Sequence, residues 1–187
     1  MISIPRRGLL GIALFCSGLS ASSYAAEPYT LDGKDLTFSR QQIAAKDPLF
    51  VQAQAALQKK ADLALKHPLF SVMDKTLVAA SGDKHDYYSF PPYWWPNPDT
   101  KDGLPYIRKD GRTNPDANSD ATDKNRLVKM SNDVSTLALA WYFTQDNRYA
   151  QKAAAQLKSW FIDPQTRMNP NLQYAQAIPG INTGRGI

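Results

Sequence analysis

Residues 85–98, HDYYSFPPYWWPNP, forbid extended regular structure where they stand. Pro91, Pro92, Pro96 and Pro98 each lack a backbone N–H and fix φ, so neither a regular helix nor a central strand can run through them. Six aromatics, Tyr87, Tyr88, Phe90, Tyr93, Trp94 and Trp95, share the same fourteen residues. An ordered loop carrying large rings is therefore expected. Rings on a proline-stiffened loop lose little entropy on binding and offer flat apolar faces with polar tips, which suits stacking on sugar rings or bases. The competing expectation is that Tyr93, Trp94 and Trp95 plug the loop onto the core, since tryptophans are usually largely buried.

Helical signals flank this loop. Asp47-Pro48 has the form of an N-cap followed by proline at the first helical position, residues 49–66 continue without a breaker, and His67-Pro68 ends the run. Residues 69–80 fit either a short second helix or an irregular apolar segment, and residues 81–84, SGDK, are turn material. Residues 97–123 are polar, with Leu104, Tyr106 and Ile107 as apolar anchors, so 85–123 reads as one long lid or binding arm. Beyond it, Leu127, Met130, Val134, Leu137 and Trp141 step by three and four along a helix that Thr122 or Asp123 could cap. A turn at 145–147 leads to a second stripe, Tyr149, Ala150, Ala153, Ala154, Leu157, Trp160 and Phe161, closing an antiparallel helical hairpin that Asp163-Pro164 stops. Residues 27–42 form a polar lead-in with Tyr29, Leu31, Leu36 and Phe38 as staples and no periodicity that assigns an element.

At 187 residues, 43% hydrophobic and 21% charged, the chain is long enough for one core. Arg6 and Arg7 precede an apolar run at 8–19 and small residues at 20–26, the layout of a secretory signal peptide, with cleavage expected after Ala25 or Ala26. The arginine pair also fits a twin-arginine leader, though two basic residues are ordinary in a general secretory one. The run is too short to span a membrane. The organisation expected is residues 1–25 as signal and 26–187 as one domain, periplasmic or secreted and without membrane association after cleavage. Cys16 falls inside the leader behind the large Phe15, so no lipid anchor is expected and the exported chain keeps no thiol for disulfides or metal.

Losing Arg6 and Arg7 leaves 20 Lys and Arg against 17 Asp and Glu, a net charge of +3 in place of +5. A mildly basic exported protein suits an anionic ligand such as a polyuronate, and the lack of a basic run argues against nucleic acid. The scattered acids have no ligand spacing, so neither a metal nor another cofactor is expected.

The tail at 166–187, TRMNPNLQYAQAIPGINTGRGI, is loop again. Its Asn169, Asn171, Gln173, Gln176, Asn182 and Arg185 form a dense set of amide and guanidinium groups. Asn182-Thr183 has the form of a further helix cap, so the sequence reads as the amino-terminal part of a longer polypeptide.

Taken together, YYSFPPYWWPNP (87–98), DGLPYIRKDGRTNP (102–115), LALAWYFTQDNRYAQKAAAQLKSWF (137–161) and MNPNLQYAQAIPGINTGRG (168–186) resemble the alginate lyase family of exported, all-helical polysaccharide lyases. The resemblance implies an all-α fold, an incomplete (α/α) toroid with long loops, here its N-terminal part, and a long cleft for an acidic polysaccharide. A monomer is expected.

It also implies β-elimination at a uronic acid. The C5 proton lies beside a carboxylate, whose charge must be neutralised before a base can remove the proton. A His or Tyr then takes it, and a Tyr returns one to the leaving O4. In the family the neutralising Asn adjoins the catalytic His, and no Asn-His pair occurs here. His67 reads as an ordinary helix-terminal residue and His85 as a solvated loop histidine, the better placed of the two for substrate contact. Neither is assigned as the base, and the catalytic groups are expected beyond Ile187. What the chain carries is expected to bind. Tyr93, Trp94 and Trp95 stack on uronate rings with Tyr88 in support, while Asn171, Gln173, Tyr174, Gln176 and Asn182 bond hydroxyls or a carboxylate and Arg185 grips a carboxylate bidentately. For the amides the alternative is that they satisfy the loop's own backbone. Lys101, Arg108, Lys109 and Arg112 read as a solvated surface. A non-catalytic glycan-binding protein is the second function that this set of residues allows.

Overall fold

The computed structural model describes residues 31–186, so the leader, Cys16 and Tyr29 lie outside the described residues. By compactness the chain divides into residues 1–38 and 39–187. In the first unit Asp32 starts helix α1 (Gly33–Ala44). Its carboxylate accepts from Lys34 N–H at 2.7 Å and its carbonyl from Leu36 N–H at 3.1 Å. This helix falls largely in the stretch where the sequence assigns no element. It buries none of its residues, and Leu31 and Phe38, expected as staples, are exposed, so there was no apolar stripe to read.

In the second unit α2 (Pro48–Lys66) begins as its signal predicts. Asp47 Oδ1 accepts from Leu49 N–H at 2.9 Å, and Pro48 occupies a position whose N–H has no helical partner anyway. An extended His67 ends it. Helices α3 (Lys124–Thr144) and α4 (Asn147–Phe161) form the expected hairpin: Gln145 turns at φ 59°, and Asp146 caps α4 by accepting from Arg148 N–H at 3.0 Å. Ala61 and Ala64 of α2, Leu137 and Ala140 of α3, and Tyr149 and Ala153 of α4 make one buried cluster. The small residues let the three helices approach closely. A second cluster joins Val72, Tyr87, Met130, Trp160 and Ala175, and so attaches the aromatic loop and the tail to the hairpin.

Helix faces depart from the spacing. Trp141, Ala154, Leu157 and Phe161 are exposed, while α4 buries the polar Gln156 and Ser159. Gln156 is fully satisfied by one backbone unit: its Oε1 accepts from Phe70 N–H at 3.1 Å and its Nε2–H donates to the Phe70 carbonyl at 3.0 Å. Residues 69–80 are irregular apart from a 3-10 turn at Val72–Asp74, closed by a Ser71/Asp74 capping box.

Asp123 precedes α3 but makes no capping bond. Its carboxylate accepts from Tyr88 N–H at 2.9 Å and pairs with Lys75 Nζ at 3.0 Å, both side chains having 0% exposure. Lys75 donates further to the carbonyls of Val72, at 2.8 Å, and Lys84, at 2.5 Å. Arg126 donates to the carbonyls of Asp74, Asp120 and Thr122. This polar junction stands beside the second apolar cluster and ties the segments around Lys75 and Tyr88 to the start of α3. Among the described residues the strands are β1 (Trp94–Trp95) and β2 (Ile107–Arg108), an antiparallel pair with Trp94 opposite Arg108. At two residues each they leave the domain all-α, and the prolines explain why the ladder stops so soon.

Candidate functional site

The aromatic loop is pinned along its backbone. Tyr88 is clasped on both sides by Asp123, since Asp123 N–H also donates to the Tyr88 carbonyl at 2.9 Å. Ser89 holds the tail: its carbonyl accepts from Ala177 N–H at 2.8 Å and its Oγ from Gln176 N–H at 3.0 Å. Buried Asn114 holds the β1 segment, donating through Nδ2 to the Trp94 carbonyl at 2.8 Å and through its N–H to the Pro92 carbonyl at 2.7 Å. Order on this scale is what a preorganised binding loop needs.

The rings divide into two groups. Tyr87 and Phe90 are buried. Tyr88 meets Phe90 edge-on at 5.2 Å between centroids, and Phe90 lies 6.3 Å from Tyr106. Burial, then proximity to Tyr106, pushes the Tyr88 hydroxyl above the ordinary tyrosine range; burial, then Asp116, does the same for Tyr106. Both phenols stay protonated at neutral pH and remain donors. The second group is more open. Tyr93 is exposed and Trp94 and Trp95 are half-buried, so the plug expectation holds only in part. Consecutive residues of a strand point to opposite faces, so Trp94 and Trp95 cannot stack on the same sugar. The Trp95 indole donates through Nε1–H to the Arg112 carbonyl at 2.9 Å, and Lys109 Nζ lies 5.4 Å from its ring centroid.

The tail folds back beside the loop. Tyr106 N–H donates to the Pro179 carbonyl at 3.0 Å, and at Gly180, φ +77°, an added Cβ would stand 2.7 Å from Pro105 Cα. Only glycine allows that approach. Asn171, Gln173 and Arg185 share a cavity of about 440 Å³ with Thr183 and Gly184. Arg185 is positioned by its backbone N–H on the Ala175 carbonyl at 2.9 Å. Tyr174, Gln176 and Asn182 are not in its lining. Asn182 satisfies the turn instead, its Oδ1 accepting from Ile178 N–H at 3.1 Å, and Asn171 Oδ1 accepts from Gln173 N–H at 3.1 Å. For those two oxygens the self-satisfying alternative is the one realised.

Four residues matter here that spacing does not mark. Asp86, buried, accepts from Ser81 Oγ–H at 2.7 Å and from Asn169 Nδ2–H at 2.9 Å, tying the tail to the start of the aromatic loop. Asn114, Asp123 and Tyr106 are the others. In sequence Tyr106 reads as an apolar anchor and Asp123 as a helix cap, while Asp86 and Asn114 cannot be told from solvated loop residues. His67 pairs through Nδ1–H with Asp133 at 2.8 Å, and His85 Nδ1–H donates to the Arg167 carbonyl at 2.6 Å. No group of three His, Cys, Asp or Glu side chains among the described residues is arranged to hold a metal, and no described helix is long and apolar enough to cross a membrane.

A family profile described as "Alginate lyase" matches residues 71–187, which contain the aromatic loop, the hairpin and the tail. Among solved structures the chain is similar to the crystal structure of an alginate lyase from Bacteroides ovatus at 1.60 Å resolution, with 52% sequence identity and a TM-score of 0.75. That likeness covers 81% of this chain and 39% of the other, so the chain spans well under half the length of this relative. A search of curated proteins finds no match.

Proposed function

Because the chain belongs to the alginate lyase family, we propose that it serves in an exported polysaccharide lyase that cleaves an acidic uronate polymer such as alginate by β-elimination, and that residues 85–123 and the tail form its substrate-binding face. Its all-α, partial-toroid character agrees with that membership. The observation that carries the reading is the family match over 71–187, within which the half-buried rings stand on a backbone pinned by Asp123, Ser89 and Asn114.

Tyr93 and Trp95 take the apolar faces of pyranose rings from the loop, and Trp94 faces the other side of the ribbon. Arg185, with Gln173 beside it, offers bidentate contact to a carboxylate at the tail cavity. Such donors stabilise the charge that grows on the uronate carboxylate as C5 loses its proton. Burial raises the Tyr88 and Tyr106 hydroxyls above the ordinary tyrosine range, which suits hydrogen-bond donation to the sugar. The location proposed is the periplasm or the medium, on the strength of the leader-like residues 1–25, and the working state is a monomer.

A second reading, glycan binding without turnover, is favoured by one observation. Neither histidine adjoins an asparagine in sequence, the pairing that the family's elimination uses. One experiment separates the two. Elimination leaves a C4–C5 double bond conjugated with the carboxylate, which absorbs in the ultraviolet. The chain is incubated with alginate oligomers while absorbance is followed and a binding isotherm is measured. Rising absorbance supports the lyase; binding without a rise supports the second reading; neither result with any uronate oligomer sinks both.

A further inference from the structure

Four cations of the long arm, Lys101, Arg108, Lys109 and Arg112, look alike in sequence, and the structure separates them. Arg108 Nε–H is paired with Asp110 at 2.7 Å, so its charge is locally neutralised. Lys101 and Arg112 are exposed. Lys109 is half-buried and held at both ends: its backbone N–H extends the ribbon by donating to the Tyr93 carbonyl at 2.8 Å, and its ammonium lies 5.4 Å from the Trp95 ring centroid. No described carboxylate pairs with it. The indole it addresses is itself fixed by the Nε1–H bond to the Arg112 carbonyl.

From this arrangement, and resting on the binding face proposed above, we propose that Trp95 and Lys109 form a subsite selective for sugars that carry a carboxylate. A ring face and an ammonium held side by side match the two halves of a uronate, the apolar C–H face of the pyranose and the carboxylate projecting from its edge. At 5.4 Å the ammonium stands off the indole and does not cap it in van der Waals contact. A flexible lysine stem can lift so that the sugar takes the ring while the ammonium moves to the carboxylate. A favourable cation–π contact is thereby exchanged for a charge-assisted hydrogen bond, and a neutral sugar offers no such exchange. Trp95 then supplies affinity for any pyranose, and Lys109 supplies preference for the acid.

The test uses the full chain with two probes, an alginate-derived oligouronate and the same oligomer with its carboxylates reduced to alcohols, titrated calorimetrically at low and at moderate salt. Lys109→Met is expected to weaken oligouronate binding by about threefold to tenfold, to flatten its salt dependence and to leave binding of the reduced oligomer unchanged. Trp95→Ala is expected to weaken both probes, and Lys158→Met, at an exposed cation of α4 outside the proposed face, neither. Thermal melting of Lys109→Met should coincide with that of the parent chain, since its ammonium satisfies no buried partner. If the parent binds the oligouronate and Lys109→Met binds it equally well, or loses both probes alike, the subsite is overturned while the binding face stands. If the parent does not bind the oligouronate, the binding face falls and the subsite with it.

Discussion

Replacing Lys75 with methionine strips the ammonium from a carboxylate that has no access to water. Both side chains have 0% exposure, and Lys75 Nζ bonds Asp123 at 3.0 Å, the Val72 carbonyl at 2.8 Å and the Lys84 carbonyl at 2.5 Å. Methionine fills most of the vacated volume, so the change is electrostatic before it is steric. Breaking a buried pair by removing one partner costs about 3–5 kcal/mol. The lower end is expected here, because Tyr88 N–H stays on Asp123 and Arg126 still lowers the energy of its charge. A loss of about 3 kcal/mol is a large part of the roughly 5–15 kcal/mol that holds a domain folded. The pH dependence has a definite sign. Burial already raises the Asp123 carboxyl above 3.8, and Lys75 is among the groups opposing that rise. Without Lys75 the folded-state value climbs further above the unfolded one. Stability is then retained below the unfolded value and lost as pH rises through the folded one, so the deficit of the variant should shrink as pH falls from about 7 to about 4. Urea unfolding followed by near-ultraviolet circular dichroism measures it. Lys75→Met/Asp123→Asn should recover part of the loss, since it removes the unpaired carboxylate while the Val72 and Lys84 carbonyls stay without their donor. A single-variant loss under about 1 kcal/mol, or no recovery in the double variant, would refute the account.

Gly184→Ala should disrupt the tail more than Gly111→Ala. At Gly184 an added Cβ would stand 2.0 Å from the Gln173 carbonyl oxygen and 2.6 Å from Tyr174 Cα, whereas at Gly111 it meets nothing within 4 Å and only the left-handed φ of +73° is strained. The second change should cost about 1–2 kcal/mol; equal falls in melting temperature would contradict the packing drawn here. Asp146 is held below the ordinary carboxyl value of 3.8 by the Arg148 guanidinium and then by Arg148 N–H. Its contribution is present above that value and lost as pH falls through the folded pKa, so Asp146→Asn should show a shallower loss of urea midpoint on acidification from about pH 5 to about pH 2.

The sequence by itself determined the helices that have end signals and a buried stripe. Asp47-Pro48, His67-Pro68 and Asp163-Pro164 punctuate it with residues whose effect is local, because a missing N–H or a capping carboxylate acts within one turn. The prolines of 85–98 likewise announced a loop, to which the structure adds a ladder two residues long. Helix α1 was not legible because it buries nothing. The polar half of the α4 face was not legible either, since Gln156 is buried only because the Phe70 backbone, distant in sequence, needs both its donor and its acceptor.

Tertiary structure alone decided what the polar loop residues do. Asp123 reads as a helix cap and serves as the anchor of Tyr88; Lys75 sits in an apolar segment and supplies the charge that Asp123 needs. In sequence Asn171 and Asn182 suit either a ligand or the loop's own backbone, and the fold directs their oxygens to backbone. Lys109 differs from Arg108 only because the ribbon brings it to an indole while Asp110 reaches its neighbour. The physical reason is common to all of these. An apolar residue is driven inward wherever it stands in sequence, so its pattern can be read along the chain. A polar residue is assigned by the partner that meets it, and that partner comes from another segment.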